Sequence, residues 1–233
     1  MCGDLKKLQL FLEKKWFVTF IDDHTHLCWV YLMKEKLEVG KLFQNFYNMI
    51  ETQFQVKIGI FHTDNGIEYF NEFLGSFLKE KGIHHQSTCV NTPQQNGIAK
   101  RKNKHLFEVA RAIMFSMNVP RYFWGEAILT TSYLINRMPT RILKYSTPLE
   151  CYQKIFLLSR MYSNLPLKFF GCSVFVHLPN HNWSKLDPRA EKCVFISYAS
   201  NKKGYKCYNT QTKNIYVSMD VYFIEDKYFL KTF

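Results

Sequence analysis

The order of strand-like and helix-like segments changes once along this chain of 233 residues, near residue 160. Before that point, segments rich in aromatic and β-branched residues are interleaved with segments in which apolar residues recur every three or four positions. After it, short strand-like segments follow one another with turn residues between them. This order predicts an α/β domain with a mixed sheet flanked by helices, followed by a small all-β domain.

The predicted elements place the change of architecture between two domains, residues 1–155 and residues 165–233. In the first domain we predict strands at 16–21, 27–33, 57–62 and 84–87, and helices at 37–53, 71–81, 95–117 and 123–137. In the second we predict strands at 169–177, 192–197, 204–209, 214–218 and 221–224. The polar segment 22–26 between the first two strands indicates a hairpin turn.

Composition excludes two classes of protein. No apolar run approaches the roughly 18 residues of a membrane span, and no signal-peptide pattern opens the chain. The seven cysteines include no C-x-x-C pair, which argues against both a disulfide framework and a structural zinc site. We therefore expect free thiols, no membrane partner and an intracellular location, nuclear or cytoplasmic.

The net charge of +12 is concentrated in the middle and end of the chain. Residues 1–90 hold ten Lys and Arg against eleven Asp and Glu, whereas residues 91–160 hold eleven against three, a balance of +8. A basic segment of this kind is typical of a protein that binds a polyanion such as nucleic acid. A solvated basic face without a ligand is the alternative.

Two short motifs, together with several weaker ones, resemble a known family. Residues 62–66 read His-Thr-Asp-Asn-Gly, and residues 91–97 read Asn-Thr-Pro-Gln-Gln-Asn-Gly. With Phe17–Asp23 and the Phe-Gly-Cys at 170–172, they resemble the integrase core and the following SH3-like module of copia-type retrotransposon Pol polyproteins. The resemblance implies an RNase H-like fold, Mg²⁺ as cofactor, DNA (element ends or target duplex) as partner, and multimers.

Lys100 stands where this family has its catalytic glutamate. The family places thirty-five residues between its second aspartate and that glutamate, and thirty-five residues separate Asp64 from Lys100. A lysine ammonium has no acceptor for a metal ion, and at about 4 Å it repels a divalent cation by several kcal/mol. We therefore expect Asp64 to be a catalytic remnant and a weak metal ligand at most, Mg²⁺ not to be bound productively, and the copy to be inactive.

The family's first aspartate is also missing. It lies on the first strand, shortly before a motif to which Cys2-Gly3-Asp4 corresponds, so the ligand would fall before Met1. Asp22 and Asp23 match the hairpin turn instead. We expect the first strand to be truncated, leaving two strands without a ladder partner and an apolar slot that residues 1–10 could partly refill.

The segment around Lys100 supplies the candidate DNA contacts. Lys100, Arg101, Lys102 and Lys104 would contact phosphates, giving affinity without sequence discrimination. Gln95 would hydrogen-bond DNA. We expect Lys100→Glu to weaken DNA binding without restoring strand transfer.

Two other functions are compatible with the sequence. One is an active metal-dependent strand transferase or nuclease with a relocated site, which would need Asp4 or Asp22, Asp64, and Glu68 or Glu108 to converge. The other is a non-catalytic protein-interaction module that uses the SH3-like part or an aromatic helix.

Overall fold

The computed structural model describes residues 13–88, 97–156, 165–177, 189–200 and 202–226. Contacts group these residues into two compact units. The first unit comprises the described residues among 14–105 and 136–162, and the second those among 106–135 and 163–233. Strands and helices follow the predicted order, so the α/β character of the earlier part and the all-β character of the later part are confirmed.

The first unit contains two pairs of strands and the helices around them. Its elements are β1 (Trp16–Ile21), β2 (Cys28–Met33), α1 (Val39–Phe54), β3 (Ile60–Thr63), α2 (Glu72–Lys81), β4 (His84–Ser87), the first half of α3 (Gly97–Ser116) and, after the chain returns, α5 (Pro148–Ile155). The helix predicted at 95–117 is therefore α3, and its first two positions lie outside the described residues.

Local side-chain contacts fix where these elements begin and end. In the β1–β2 turn, Asp22 Oδ2 accepts hydrogen bonds from the backbone N–H and the hydroxyl of Thr25, at 2.9 and 2.5 Å. Asn71 caps α2 by accepting from the Leu74 N–H at 2.8 Å, and Gly82 ends that helix with φ +67°, a conformation that glycine adopts readily. The helix predicted from residue 37 begins two residues later, after a 3₁₀ turn at Lys36–Glu38.

The strands of the first unit form two separate ladders. β1 pairs with β2 antiparallel, and β3 pairs with β4 parallel. Among the described residues no ladder joins the two pairs, so the expected mixed sheet is interrupted between β1 and β3. The interruption falls where the truncated first strand was expected, and residues 1–10, the predicted filler, lie outside the described residues.

An aromatic cluster on one side of these strands holds α1 against them. Phe20 of β1 stacks on Phe46 of α1 with ring centroids 4.8 Å apart, and Phe43 stacks on Phe61 of β3 at 4.0 Å. All four rings are buried. Because α1 packs on both strand pairs, this cluster connects them through side chains.

The second unit is built on one continuous sheet. Its strands are β5 (Ser173–His177), β6 (Ala190–Tyr198), β7 (Tyr205–Tyr208), β8 (Ile215–Ser218) and β9 (Val221–Ile224), all antiparallel in the order β8-β7-β6-β5-β9. Helix α4 (Trp124–Ile135) packs on β6, where Tyr133 stacks on Tyr198 with centroids 3.7 Å apart. Glu126 of α4, almost fully buried, pairs with Lys206 of β7 at 2.5 Å.

Four buried cysteines, Cys28, Cys172, Cys193 and Cys207, carry free thiols as predicted. Burial raises the pKa of Cys172 and of Cys193 to about 12, so both thiols are protonated at neutral pH.

None of the helices in the described ranges has both the length and the apolar character needed to cross a membrane.

Candidate functional site

A cleft in the first unit collects most of the residues that the motifs single out. It lies between β1 and β3, and the N-terminal part of α3 forms one wall. Its lining consists of residues 16–20, Met33, Lys36, Val39, residues 61–64, Glu68, Tyr69, Ala99, Lys100 and Asn103. The cleft therefore occupies the interruption between the two strand pairs.

Asp64 and Lys100 line this same cleft, although thirty-five residues separate them in the chain. Asp64 directly follows β3, and Lys100 lies in the first turn of α3, with both side chains exposed. Asp64 Oδ1 also accepts a hydrogen bond from the Gly66 N–H at 3.2 Å, which is the turn-forming contact common for aspartate. The fold thus brings an acidic and a cationic side chain to one surface.

Glu68 and Tyr69 extend the acidic side of the cleft. Burial, with smaller contributions from the nearby carboxylates of Asp64 and Glu68, which disfavour a phenolate, raises the pKa of Tyr69 to about 12. These two carboxylates are the acidic groups of the cleft, and Lys36 and Lys100 add positive charge to the same lining.

This donor set does not fit a pair of magnesium ions. Mg²⁺ takes near-octahedral oxygen coordination, and catalysis with two metals needs carboxylates that bridge or flank both ions. The cleft instead presents two carboxylates, the imidazole of His62 and the ammonium groups of Lys36 and Lys100. Within the described ranges, no group of three or more His, Cys, Asp and Glu side chains is placed to hold a metal ion. Asp22, one of the residues required by a relocated site, is engaged by Thr25 in the hairpin turn.

His85 on β4 supports the strand end that carries Asp64. Its Nε2 lies 2.8 Å from the Thr63 hydroxyl, and its ring stacks on Phe61 with centroids 5.8 Å apart. Burial, with a smaller effect of neighbouring His84, lowers the pKa of His85. The imidazole is therefore neutral near pH 7 and serves as a hydrogen-bonding partner of Thr63.

The residues predicted to contact DNA differ in their exposure and in their hydrogen-bond partners. Lys100 and Lys104 are exposed on α3. Arg101 is exposed too, and its Nε donates to the Gly97 carbonyl at 2.9 Å. Lys102 is half-buried, its Nζ donates to the His26 carbonyl at 3.2 Å, and burial lowers its pKa. Gln95 lies outside the described residues.

Asn103 and Asn136 make structural hydrogen bonds that the sequence did not predict. Asn103 lines the cleft, and its Oδ1 accepts a hydrogen bond from the Thr19 hydroxyl of β1 at 2.8 Å. Asn136 accepts from the Cys28 N–H at 3.0 Å and donates to the Cys28 carbonyl at 2.7 Å, holding the start of β2. Neither asparagine lies in one of the two motifs at residues 62–66 and 91–97, so the sequence carried no direct signal for them.

Two family models match parts of the chain. Residues 1–93 match the model described as "Integrase core domain", and residues 172–232 match "Retroviral polymerase SH3-like domain". The predicted order of an integrase-core α/β part followed by an SH3-like all-β part is therefore confirmed.

Similar curated proteins are retrotransposon polyproteins. The Retrovirus-related Pol polyprotein from transposon TNT 1-94 of Nicotiana tabacum is 35% identical over 227 residues, which are 97% of this chain and 17% of that protein. The corresponding polyprotein from transposon RE1 of Arabidopsis thaliana is 34% identical over 212 residues, 91% of this chain and 14% of that protein. The chain thus spans less than a fifth of the length of these relatives.

Similar solved structures are retroviral integrase cores. The HTLV-2 integrase catalytic core domain in complex with magnesium (trimeric form) overlaps with a TM-score of 0.45 at 15% identity, over 58% of this chain and 82% of that chain. The catalytic core domain of BIV integrase overlaps with a TM-score of 0.46 at 17% identity, over 59% of this chain and 85% of that chain.

Proposed function

We propose that this chain, which belongs to the copia-type retrotransposon Pol family and carries its integrase core, binds DNA but does not catalyse strand transfer. The main support for this proposal is that Lys100 and Asp64 line the same cleft. The family's glutamate position is thereby occupied, at the site itself, by a side chain that repels metal ions.

Charge and coordination support the loss of chemistry. The family reaction needs metal ions that activate a nucleophilic oxygen and stabilise the leaving oxygen. Lys100 offers no lone pair to such an ion, and it adds a positive charge beside Asp64 and Glu68. Each ~1.4 kcal/mol of lost metal or transition-state stabilisation reduces the rate about tenfold. Removing one ligand and adding this repulsion is sufficient to abolish measurable joining.

Charge on α3 supports the retained affinity for DNA. Lys100, Arg101 and Lys104 are exposed on consecutive turns of the helix. Lysine and arginine side chains contact phosphates without reading the base sequence. Lys102 contributes less in this proposal because its ammonium group is engaged by the His26 carbonyl.

The loss of chemistry is tested by a joining assay. The wild-type chain, Lys100→Glu and Lys100→Gln are each incubated with Mg²⁺ or Mn²⁺ and a duplex whose end can be joined to a target duplex. We expect no joined product from any of them, because restoring one carboxylate leaves the family's first aspartate without a counterpart in the described cleft. Metal-dependent product from the wild type or from Lys100→Glu would overturn the proposed inactivity.

The retained DNA binding is tested by fluorescence anisotropy with a short random duplex across a salt titration. We expect affinity that falls steeply with salt, by about 0.9 logarithmic units per logarithmic unit of salt for each phosphate contact. Lys100→Glu should weaken binding and reduce that slope by about one contact. Lys79→Glu, the same charge change at an exposed position of α2, is the matched control. Equal losses in the two variants, or no binding at low salt, would contradict a specific contribution of α3.

We also propose the division into an integrase-like domain, residues 1–155, and an SH3-like domain, residues 165–233. Limited proteolysis should then cut between 155 and 165. Because α4 belongs to the earlier segment and packs on β6 of the later one, the two fragments should remain associated under native conditions.

We place the action of the protein inside the cell, in the nucleus or the cytoplasm, where free thiols persist.

A further inference from the structure

We propose that an exposed apolar patch between β3 and α2 is a docking site for a cationic amphipathic segment of another protein. The patch consists of Ile67, Phe70 and Phe73, and we call it the turn patch. This inference is separate from DNA affinity and from the loss of chemistry.

Three large apolar side chains are exposed within seven residues of this segment. Ile67 is 85% exposed, Phe70 56% and Phe73 53%. Single exposed apolar side chains are ordinary on a protein surface, whereas several together mark an interaction site. The turn patch therefore suits a partner that presents apolar side chains of its own.

The local backbone places Ile67 and Phe70 on one side. Residues Ile67–Tyr69 form a 3₁₀ turn, and the Phe70 N–H donates to the Ile67 carbonyl at 3.1 Å. Side chains three positions apart in such a turn lie one above the other. Tyr69 between them packs against the aromatic cluster under α1, with its ring centroid 6.2 Å from that of Phe61. The turn thus anchors one ring in the core and leaves its two apolar neighbours exposed.

Asn71 joins this turn to α2 and fixes the position of the patch. Its Nδ2 donates to the Glu68 carbonyl at 2.9 Å, and its Oδ1 accepts from the Leu74 N–H at 2.8 Å. Phe73 lies over Gly40 of α1, where an added Cβ atom would come within 3.2 Å of the ring. The patch is therefore held in place before a partner arrives, which reduces the ordering cost of binding.

The charge around the turn patch favours a cationic partner. Asp64 and Glu72 are exposed and Glu68 is half-buried. Residues 58–78 contain these three carboxylates and no lysine or arginine, in a chain whose net charge is +12. Because opposite charges across an interface favour association and like charges oppose it, DNA phosphates and the same patch of a second copy are both disfavoured. A segment that carries lysine or arginine between apolar residues matches both the apolar centre and the acidic surroundings.

A short amphipathic helix is the form of partner that we test. Apolar residues at every third or fourth position line up on one face of a helix, with cationic residues beside them. The probe is the fluorescein-labelled synthetic peptide Leu-Lys-Lys-Leu-Leu-Lys-Lys-Leu-Leu-Lys, called the lysine peptide. The matched control, called the glutamate peptide, has glutamate in place of every lysine and keeps the apolar face.

The first measurement is fluorescence anisotropy of each peptide with the full chain across a salt titration. We expect the lysine peptide to bind, with an affinity that falls as salt rises. Since the net charge of +12 repels this peptide, its binding requires a local acidic surface. Absence of binding at low salt by a chain with native circular dichroism would overturn the proposal.

Ile67→Ser and Phe73→Ser test the location of the site. Each should weaken the lysine peptide about tenfold, as expected for an anchor residue of an interface, and should leave any binding of the glutamate peptide unchanged. Ile142→Ser is the matched control, because Ile142 belongs to the same unit and is 77% exposed. Equal losses in Ile67→Ser and Ile142→Ser, or no loss in Ile67→Ser, would place the peptide elsewhere and overturn the proposal.

Glu72→Lys tests the contribution of charge. Lys36 and Lys100 share the cleft lining with Asp64 and Glu68, so Glu72, at the start of α2, is the carboxylate chosen. The substitution should weaken the lysine peptide about two- to fivefold, as expected for loss of an exposed ion pair. Glu80→Lys makes the same change at an exposed position near the end of α2 and should have little effect. Equal losses in the two variants would contradict docking at the turn patch.

DNA and a second copy of the chain are the competing occupants. If the turn patch bound DNA, Ile67→Ser would lower the affinity for a random duplex. If a second copy covered it, sedimentation would show a dimer that Ile67→Ser dissociates. Either result would overturn docking of a cationic segment of another protein. A monomer in which Ile67→Ser weakens the lysine peptide and leaves duplex affinity unchanged would support it.

Discussion

The two units build sheets in contrasting ways. The second unit joins five strands in one uninterrupted antiparallel ladder, and α4 covers β6. In the described part of the first unit the two strand pairs share no ladder, and the aromatic cluster under α1 connects them through side chains. Asn103 and Asn136 bind β1 and β2 to neighbouring segments. The motif residues Asp64 and Lys100 lie at the interruption.

This contrast shows what a sheet loses when a ladder is interrupted. Backbone hydrogen bonds are made regardless of side-chain identity, so a continuous ladder tolerates many substitutions on its exposed face. A junction made by side chains depends on individual residues, and each polar atom at it must find a partner. The interrupted sheet should therefore be sensitive to polar substitutions, and the continuous sheet chiefly to changes in its apolar core.

The largest expected effect compares one core phenylalanine in each unit. Phe195 of β6 is fully buried and packs edge-to-face against Tyr198 and Tyr205, whereas Phe61 lines the cleft. We expect Phe195→Ala to lower the free energy of unfolding by about 5 kcal/mol and Phe61→Ala by about 3 kcal/mol, the two ends of the range for buried phenylalanine. The loss is smaller at Phe61 because a void beside the cleft can be filled by water or by movement of the cleft walls.

Urea denaturation of both variants, followed by tryptophan fluorescence and by circular dichroism, measures this difference. Phe73→Ala, an exposed phenylalanine of α2, is the control and should change stability by less than about 0.5 kcal/mol. Equal losses of unfolding free energy in Phe195→Ala and Phe61→Ala would mean that the cleft does not reduce the effect of a void beside it.

A smaller effect is expected from the side-chain junction at β2. Asn136→Ala removes the side chain that bonds the buried N–H and C=O of Cys28. We expect a loss of about 1–3 kcal/mol, the cost of unsatisfied buried polar groups. Exposed Asn48 on α1 provides the control, since Asn48→Ala should be neutral or slightly stabilising. Thermal and urea unfolding of the pair measure the difference, and equal stabilities would show that the junction at Cys28 is not required.

Much of this architecture was predictable because it depends on local patterns. The aromatic and β-branched runs of β1 and β2, and Gly82 after α2, determine structure within a few residues. The meeting of Asp64 with Lys100 was predictable only through the spacing shared with a family. The hydrogen bond from Lys102 to the His26 carbonyl was not predictable. The sequence does not distinguish the lysines of α3 from one another, and only the tertiary structure determines which of them is half-buried.

Helix α5 is not among the helices predicted from apolar periodicity, although its start carries a clear signal. The Thr147 hydroxyl accepts from the Glu150 N–H at 3.1 Å, and Glu150 Oε2 accepts from the Thr147 N–H at 2.9 Å, with Pro148 in the first turn. We expect Thr147→Ala to destabilise the chain by about 1 kcal/mol and Thr147→Ser to be nearly neutral. Urea denaturation compares the two. Equal losses in both variants would show that packing of the threonine methyl group, and not the cap, is responsible.

The smallest expected effect is a pH dependence confined to the interrupted sheet. The pKa of His85 is lowered in the folded chain, chiefly by burial, whereas in the unfolded chain it returns to about 6.5. The unfolded state therefore binds more protons, so the stability contributed by neutral His85 is fully present above about pH 6.5 and is lost as pH falls towards the lowered pKa. His85→Gln should show a flatter decline of stability between pH 7.5 and pH 5 than the wild type, whereas His84→Gln, which removes only the smaller cause of the lowered pKa, should stay much closer to the wild type. Parallel declines in all three would mean that β3 and β4 are held together without the neutral imidazole, and that the Thr63 contact at 2.8 Å does not stabilise the strand end beside Asp64.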